Sequence, residues 1–283
     1  MSATAQDGIL LVDKPAGMSS HDVVASVRRR LGRGIKVGHA GTLDPFATGL
    51  LLVLVGRATR VQRWLMALPK RYEVVARFGV VSTTGDPEGQ LVCTGAVPVG
   101  DLSLPVGVVR QRPPAYSAVK VGGRRAYALA RAGSPVELAE RDVFVHAFEE
   151  VWRDGDRRGF RIECSSGTYV RSLIADLGDA YCVSLRRTRI GSFDVADASE
   201  ALIPLSDALW FIPAVVLDED RARRAAHGVR VTLGGDVGDV GDLIGGGTGV
   251  LRVLDGQGLV CLAELVSEAG AAPVLKPIVG FRG

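Results

Sequence analysis

The chain has 283 residues, 47% of them apolar and 23% charged, which supplies a real core for one or two domains and excludes a disordered chain. Its 34 basic and 31 acidic residues leave a formal charge of only +3, so a polyanionic partner has to be met by local clusters of Lys and Arg. The four cysteines form no C-x-x-C pair and only four His accompany them, so no metal cluster is signalled; with no signal-peptide pattern and a longest apolar run of Leu50 to Val55, against the ~20 residues of a membrane span, a cytoplasmic protein of a reducing compartment is expected, with no membrane partner.

Ile9-Leu10-Leu11-Val12 is a short apolar run that stops at Asp13-Lys14-Pro15-Ala16-Gly17, which predicts a buried strand. A helix follows, capped by Ser19 or Ser20, with Val23, Val24, Val27 and Leu31 on one face and Arg28, Arg29, Arg30, Arg33 and Lys36 at its end. That basic cluster serves equally as a solvated helix end that complements the macrodipole and as an RNA contact. Leu50 to Val55 predicts a second buried strand, and Tyr72, Val74, Ala76, Phe78 and Val80 alternate along a third. Arg124 to Ala132 reads as a helix that stops at Gly133 and Pro135. Phe160, Ile162 and Cys164 alternate in a strand that turns at Ser165-Ser166-Gly167. On the helix that begins there Val170, Leu173, Ile174 and Leu177 bury one face and leave Tyr169 and Arg171 near the first turn, pointing elsewhere. Glycine becomes frequent from Gly228 to Gly249, and Val250 to Leu254 and Leu259 to Ala263 flank Asp255-Gly256-Gln257-Gly258 as a hairpin, so a small β-rich domain is expected from about residue 214.

The segment with the most chemical character runs from Gly38 to Gly49, a glycine-punctuated loop that holds His39 and Asp44 and leads into a buried strand. Pro45 biases Asp44 towards an extended conformation, which can hold its carboxylate out in a fixed direction, as a nucleophile or general base requires. An Asp-Pro pair is equally an ordinary turn, and Asp86-Pro87 reads as one. His39 in a loop and Tyr72 and Tyr169 at element starts are each compatible with plain structural roles, and Arg171 with a surface charge or the partner of a carboxylate.

Gly8 to Asp22, followed by Gly38 to Gly49, closely resembles the bacterial tRNA pseudouridine synthase B family. Lys70-Arg71-Tyr72, the Ser82 to Gly89 turn, Pro113-Pro114-Ala115-Tyr116-Ser117-Ala118-Val119-Lys120 and Ser165 to Ser172 also resemble it, in the family's order, so the likeness runs from residue 8 to about 213. Val274-Leu275-Lys276-Pro277 and the β-rich pattern around it resemble the family's PUA-like domain more weakly.

The resemblance implies an α+β fold: a mixed, largely antiparallel central sheet flanked by helices, with a catalytic domain over residues 1–213, an RNA-clamping insertion over 113–140 and a PUA-like RNA-binding domain over 214–283. It implies an enzyme that flips a uridine out of the T arm of tRNA and isomerises it to pseudouridine without metal or cofactor, as a monomer. Asp44 becomes the nucleophile, with His39, Tyr72, Tyr169, Arg171 and Leu185 around the flipped base. Arg171 would keep Asp44 ionised by charge pairing and lower its pKa, and Tyr72 would stack on the uracil and assist removal of the C5 proton. The expected RNA contacts are Arg28 to Arg33, Arg110, Arg112, Lys120, Arg124 and Arg125.

Two stretches depart from the family pattern. Ala96 to Arg112 is short, with little room for the helix usual before the Pro-Pro segment, and Asp179 to Leu185 lacks the usual Gly-rich, His-containing loop before Leu185-Arg186-Arg187. Two other classes compete: a non-catalytic RNA-binding protein or chaperone, against which Asp44, Tyr72 and Arg171 argue, and an Asp-dependent phosphohydrolase, against which the lack of a phosphate loop and carboxylate cluster argues.

Overall fold

The computed structural model describes residues 7–114, 116, 120–126, 138–233, 249–266 and 272–282. The chain divides into two compact units. One comprises Leu10–Val53 with Gln62–Glu200, and the other Met1–Ile9, Leu54–Val61 and Ala201–Gly283.

The chain's first strand is β1 (Gly8–Lys14), the expected apolar run, which carries into the larger unit from Leu10 and is followed by α1 (Ser20–Leu31). Ser19 is the cap: its hydroxyl accepts from the Asp22 N–H at 3.1 Å while the Asp22 carboxylate accepts from the Ser19 N–H at 2.9 Å, a reciprocal capping box. Ser20 is buried and does something else. Its hydroxyl accepts from the Leu43 N–H at 2.8 Å and donates to the Leu43 carbonyl at 3.0 Å, tying the helix to the loop before Asp44. Val23, Val24 and Val27 form the buried face that their spacing predicts.

β2 (Val37–Ala40) and β3 (Thr48–Val55) flank the Asp44 loop, and β3 is buried on both faces, as a continuous apolar run requires. After α2 (Gln62–Ala67) comes β4 (Lys70–Phe78), with Lys70, Tyr72, Val74, Ala76 and Phe78 all inward. The short β5 (Val80–Ser82) and β6 (Leu91–Cys93) pair with each other, and β7 (Gly107–Gln111) follows. β8 (Lys120–Val121) and β9 (Arg124–Arg125) form a hairpin across Gly122 and Gly123, both at positive φ, +55° and +81°. Arg124 and Arg125 of the expected helix are therefore strand, since paired glycines favour the two-residue turn of a hairpin, while Ala126 is helical. Residues 127–132 of that expectation lie outside the described ones.

β10 (Arg141–Asp154) and β11 (Arg157–Cys164) form a long antiparallel pair, and α3 (Val170–Ala175) carries the expected buried Val170, Leu173 and Ile174. β12 (Ala180–Ile190) starts directly after it, so the short 179–185 segment enters the sheet with a bulge between Cys182 and Ser184 instead of forming a loop; β13 (Phe193–Asp194) folds back on it. Among the described residues the strand order through the site is β1-β3-β12-β4-β11-β10-β7. The pairing of β3 with β12 is parallel, while β12–β4, β4–β11, β11–β10 and β10–β7 are antiparallel, so the sheet is mixed and largely antiparallel as expected. Its core gathers Tyr72, Val74, Phe78, Phe148, Phe160, Ile162, Leu173 and Leu185.

The short 96–112 stretch is packed without a helix. The buried Arg158 guanidinium donates to the carbonyls of Pro98 at 2.6 Å and Gly100 at 2.9 Å, and pairs with Glu150 at 3.0 Å; Leu102 and Leu104 cover the core before β7 closes the sheet edge. One arginine thus replaces an element of secondary structure by satisfying buried backbone directly.

The second unit holds β14 (Leu202–Pro204), α4 (Leu205–Ala208), β15 (Ala214–Val216), α5 (Glu219–Ala226), β16 (Val231–Thr232), β17 (Val250–Asp255), β18 (Gly258–Val266) and β19 (Val274–Gly280). Its sheet runs β15-β17-β18-β19-β16, and β17 and β18 are the expected hairpin across Gly256 and Gln257. Val253, Cys261, Ala263 and Leu275 are fully buried beneath α5, whose cap is Asp218. Residues 234–248 of the glycine-rich stretch lie outside the described ones.

Candidate active site

The loop that carries Asp44 is fixed from three sides. Gly49, at φ +103°, pairs in parallel register with Arg187, and a Cβ there would lie 2.3 Å from the Arg187 carbonyl oxygen, so this contact admits only glycine. Arg187 is itself buried. Its guanidinium donates to the carbonyls of Leu50 at 2.8 Å, Gly41 at 3.1 Å and Thr42 at 3.4 Å, clamping both ends of the loop. Lys14, fully buried at the end of β1, donates from Nζ to the carbonyls of Pro15 at 2.9 Å, Met18 at 2.7 Å and Pro45 at 3.2 Å, while the Gly17 N–H donates to the same Pro45 carbonyl at 2.9 Å. Burial lowers the pKa of Lys14 and the nearby Asp44 charge raises it in part.

Asp44 is one-third exposed to a cleft, and its Oδ2 lies 2.9 Å from Arg171 Nε. Arg171 is buried, contrary to the expectation that it points away from the core: its Nη1 pairs with Asp86 Oδ2 at 3.1 Å and donates to the Thr84 carbonyl at 2.6 Å, and its Nη2 donates to the Tyr116 carbonyl at 2.9 Å. One guanidinium therefore bridges two carboxylates. Asp86-Pro87 is a turn, as read from the sequence, but Asp86 is also buried. Its Oδ1 accepts from the Thr84 hydroxyl at 2.5 Å and the Glu88 N–H at 3.0 Å, which leaves Oδ2 aimed at Arg171. Arg171 lowers the Asp44 pKa, as expected, but does not set its net direction. Burial pushes it above the ordinary carboxylate range, Arg171 opposes that only in part, and the second carboxylate, Asp86, adds to the rise.

The cleft, about 460 Å³, is lined by Asp44, Tyr72, Tyr169, Arg171 and Leu185, together with Lys70, Arg187 and the Ser165–Thr168 turn. Tyr72 and Leu185 sit on adjacent strands, where Tyr72 opposes Arg187 and Leu185 opposes Val74. Burial raises the Tyr72 pKa, with Arg187 opposing the rise through charge and a hydrogen bond, so the phenol stays protonated at neutral pH and is a donor, not a ready base. His39 lies on β2, not among the lining residues, and its carbonyl accepts from Gln62 at 2.7 Å. Four of the five residues expected around Asp44 thus share the cleft with it, and His39 does not. Of the expected RNA contacts, Arg28 donates to the Val37 carbonyl, Arg110 pairs with Asp142 and Arg112 with Glu140, while the side chains of Lys120, Arg124 and Arg125 lie outside the described ones.

Sequence reasoning missed Lys14, Lys70, Asp86 and Arg187 as parts of the site. A signal existed for two of them: strand period places Lys70 on the face of Tyr72 and Arg187 on the face of Leu185. Lys70 is buried, caps the end of α2 through the carbonyls of Met66 and Leu68, and has its pKa brought down to about 8 by burial and the Arg187 charge.

A larger groove of about 610 Å³ lies on the other face of the same strands, lined by Arg71, Glu73, Glu149, Arg161, Glu163, Arg186, Arg189 and Asp194 among others. Most of its charges pair across the surface, Arg71 with Glu163 at 2.8 Å, Arg161 with Glu149 at 3.3 Å and Arg189 with Asp194 at 3.7 Å.

A carboxylate on a clamped loop, bridged to a buried arginine beside a tyrosine and a leucine, can be compared with known proteins. The chain matches the model of the TruB family pseudouridylate synthase (N terminal domain) over residues 28–170. It is 44% identical to the tRNA pseudouridine synthase B of Thermobifida fusca, over 98% of this chain and 99% of that protein, and 43% identical to that of Mycobacterium tuberculosis, over 78% of each. In fold it is similar to a chain of a Cbf5-Nop10-Gar1 complex, with a TM-score of 0.66 at 24% identity over 98% of this chain and 84% of that one. It is also similar to a chain of an H/ACA RNP bound to a substrate RNA containing 2′-deoxyuridine, with a TM-score of 0.65 at 22% identity over 97% and 86%. The family model and relatives of this identity over most of the chain make it a pseudouridine synthase, an isomerase. Within that class, the chain belongs to the TruB family of pseudouridylate synthases.

Proposed function

We propose that the enzyme isomerises uridine 55 in the T arm of tRNA to pseudouridine, with Asp44 as the catalytic carboxylate. The observation that carries this reading is the 2.9 Å contact between Asp44 and a buried Arg171 at the wall of a cleft shared with Tyr72, Tyr169 and Leu185. The target uridine flips into the cleft at a cost of a few kcal/mol, offset in part by stacking on Tyr72. Ionised Asp44 drives cleavage of the C1′–N1 bond, the base turns in place, and C1′ rejoins at C5; the C5 proton is lost and N1 gains one, so no oxidant, reductant or other group is consumed. Tyr72, held protonated, orients and stacks the uracil, while Tyr169 and Leu185 wall the pocket. His39, outside the cleft lining on β2, supports the duplex from which the base has left.

In this reading residues 113–140 close over the RNA, residues 214–283 act as a PUA-like RNA-binding domain, and a monomer works in the cytoplasm on the elbow of tRNA. Shape and phosphates of the T loop, met by the basic residues around the cleft, select the substrate. The test is pseudouridine mapping at single-nucleotide resolution on an unmodified tRNA transcript, with wild type and Asp44→Asn. Conversion of one T-arm uridine by wild type and none by the variant is the expected result. Folded, tRNA-binding wild type that converts nothing would sink the reading and leave an RNA-binding protein on this scaffold.

A further inference from the structure

Gln111, the last residue of β7, is 1% exposed and spends its whole amide on one neighbour. Its Oε1 accepts from the Tyr169 N–H at 2.8 Å and its Nε2 donates to the Tyr169 carbonyl at 2.9 Å, so one side chain satisfies both main-chain groups of the residue that begins α3. Its cross-strand partner Arg141 grips the same turn: it donates to the Gly167 carbonyl, and its guanidinium lies 5.0 Å from the centroid of the Tyr169 ring. β7 ends at Gln111 and β10 begins at Arg141, and Arg112 pairs with Glu140 at 3.1 Å beside these two strand ends.

The same region reaches the reacting carboxylate. The Ser172 hydroxyl donates to the Arg112 carbonyl at 3.2 Å, and Arg171, which holds Asp44, donates to the Tyr116 carbonyl. The first residues of the insertion and the first turn of α3 are thus one hydrogen-bonded body, and Gln111 is its most buried joint. A buried Gln that merely completes a strand end would need only some partner. This one takes both main-chain groups of a residue lining the cleft, two positions from Arg171.

We infer that Gln111 is a positioning residue for the isomerisation: it sets the cleft wall at Tyr169 and the register of Arg171 against Asp44, and couples both to the main chain of Arg112 and Tyr116. This rests on the proposed function, since it assumes that Tyr169 and Arg171 work on a bound uridine. Loss of the joint leaves the RNA-contacting surface in place and displaces the groups that act on the flipped base, so it falls on the chemical step more than on binding.

The experiment compares wild type with Gln111→Met and Gln111→Glu by three readouts: single-turnover conversion of unmodified tRNA, tRNA affinity, and thermal melting to verify folding at the assay temperature. Gln111→Met is expected to lower the single-turnover rate by at least ~10-fold while Kd changes by less than ~3-fold. In Gln111→Glu an ionised carboxylate can accept from the Tyr169 N–H but faces its carbonyl, whereas the protonated form can also donate to it. Its rate relative to wild type at the same pH should therefore rise as pH falls through the titration of the new carboxyl group, measured above the acid limb of Asp44. Wild-type rates in Gln111→Met, or a loss in affinity equal to the loss in rate, would overturn the inference alone. A folded wild type that makes no pseudouridine would overturn the functional reading and this inference with it.

Discussion

Strands β4 and β12 carry charge on both faces, and the two faces handle it in opposite ways. On the groove side Arg71, Arg161 and Arg189 meet Glu163, Glu149 and Asp194 in pairs that are one-third or more exposed. On the cleft side Arg171, Arg187 and Lys70 are at least nine-tenths buried; Arg187 and Lys70 are held by main-chain carbonyls, and Arg171 by two carboxylates and two carbonyls. Exposed pairs trade one hydrated partner for another at little net gain, while buried charges require that every donor be met. The groove can lose a member and rearrange. The cleft cannot, and that rigidity lets it hold one carboxylate, Asp44, away from its ordinary pKa.

Substitutions on the two faces can break this contrast. The largest expected effect is that of Asp44→Asn, which should lower single-turnover conversion by at least ~1,000-fold with tRNA affinity nearly preserved, since the amide keeps the shape and loses the nucleophile. Arg171→Met comes next: it leaves the buried Asp86 and the one-third exposed Asp44 without their shared cation, with an expected cost of ~3–5 kcal/mol in denaturant unfolding, carried mainly by Asp86, beside a large loss of activity. A loss below ~1 kcal/mol would mean that the cleft tolerates stranded charge as the groove does.

The pH profile sharpens the comparison further. The folded-state pKa of Asp44 is raised, chiefly by burial. Its ionised form is the active one, so the single-turnover rate should fall with acid in a limb lying above the ordinary carboxylate range. The same shift makes this group's contribution to stability decline as pH rises from the unfolded-state value towards the raised one. Arg171→Gln removes the main opposing influence and should move the acid limb of any residual activity to higher pH. A limb at or below the ordinary carboxylate value in the wild type would contradict the assigned direction. The smallest effect is expected in the groove: Arg161→Gln should change unfolding free energy by less than ~1 kcal/mol, dependent on salt, and leave tRNA conversion unaltered.

Much of the fold follows from local pattern. The buried run of β3, the alternation of β4 and β11, the Ser19 cap and the β17–β18 hairpin each express a period or a turn preference that acts over a few residues. The departures have one local cause and one distant cause. The helix expected from Arg124 starts no earlier than Ala126, because the paired glycines Gly122 and Gly123 put Arg124 and Arg125 in a hairpin. The missing helix in 96–112 could not be replaced on paper, because its substitute is Arg158, a residue of a strand more than forty positions away.

The main strands, the capped first helix, the family likeness and the chemical character of the Asp44 loop are legible in the residues alone, because they depend on periodicity, capping and short motifs. Only the tertiary structure decided that Asp86 is more than a turn, that Arg171 spans two carboxylates, that Lys14 and Arg187 clamp the Asp44 loop, and that burial outweighs the arginine in setting the Asp44 pKa. Each of these depends on desolvation and on partners brought together from distant segments, such as Arg187 with Gly41 and Arg171 with Asp44, and a charge in a sequence carries no mark of how much water it will lose.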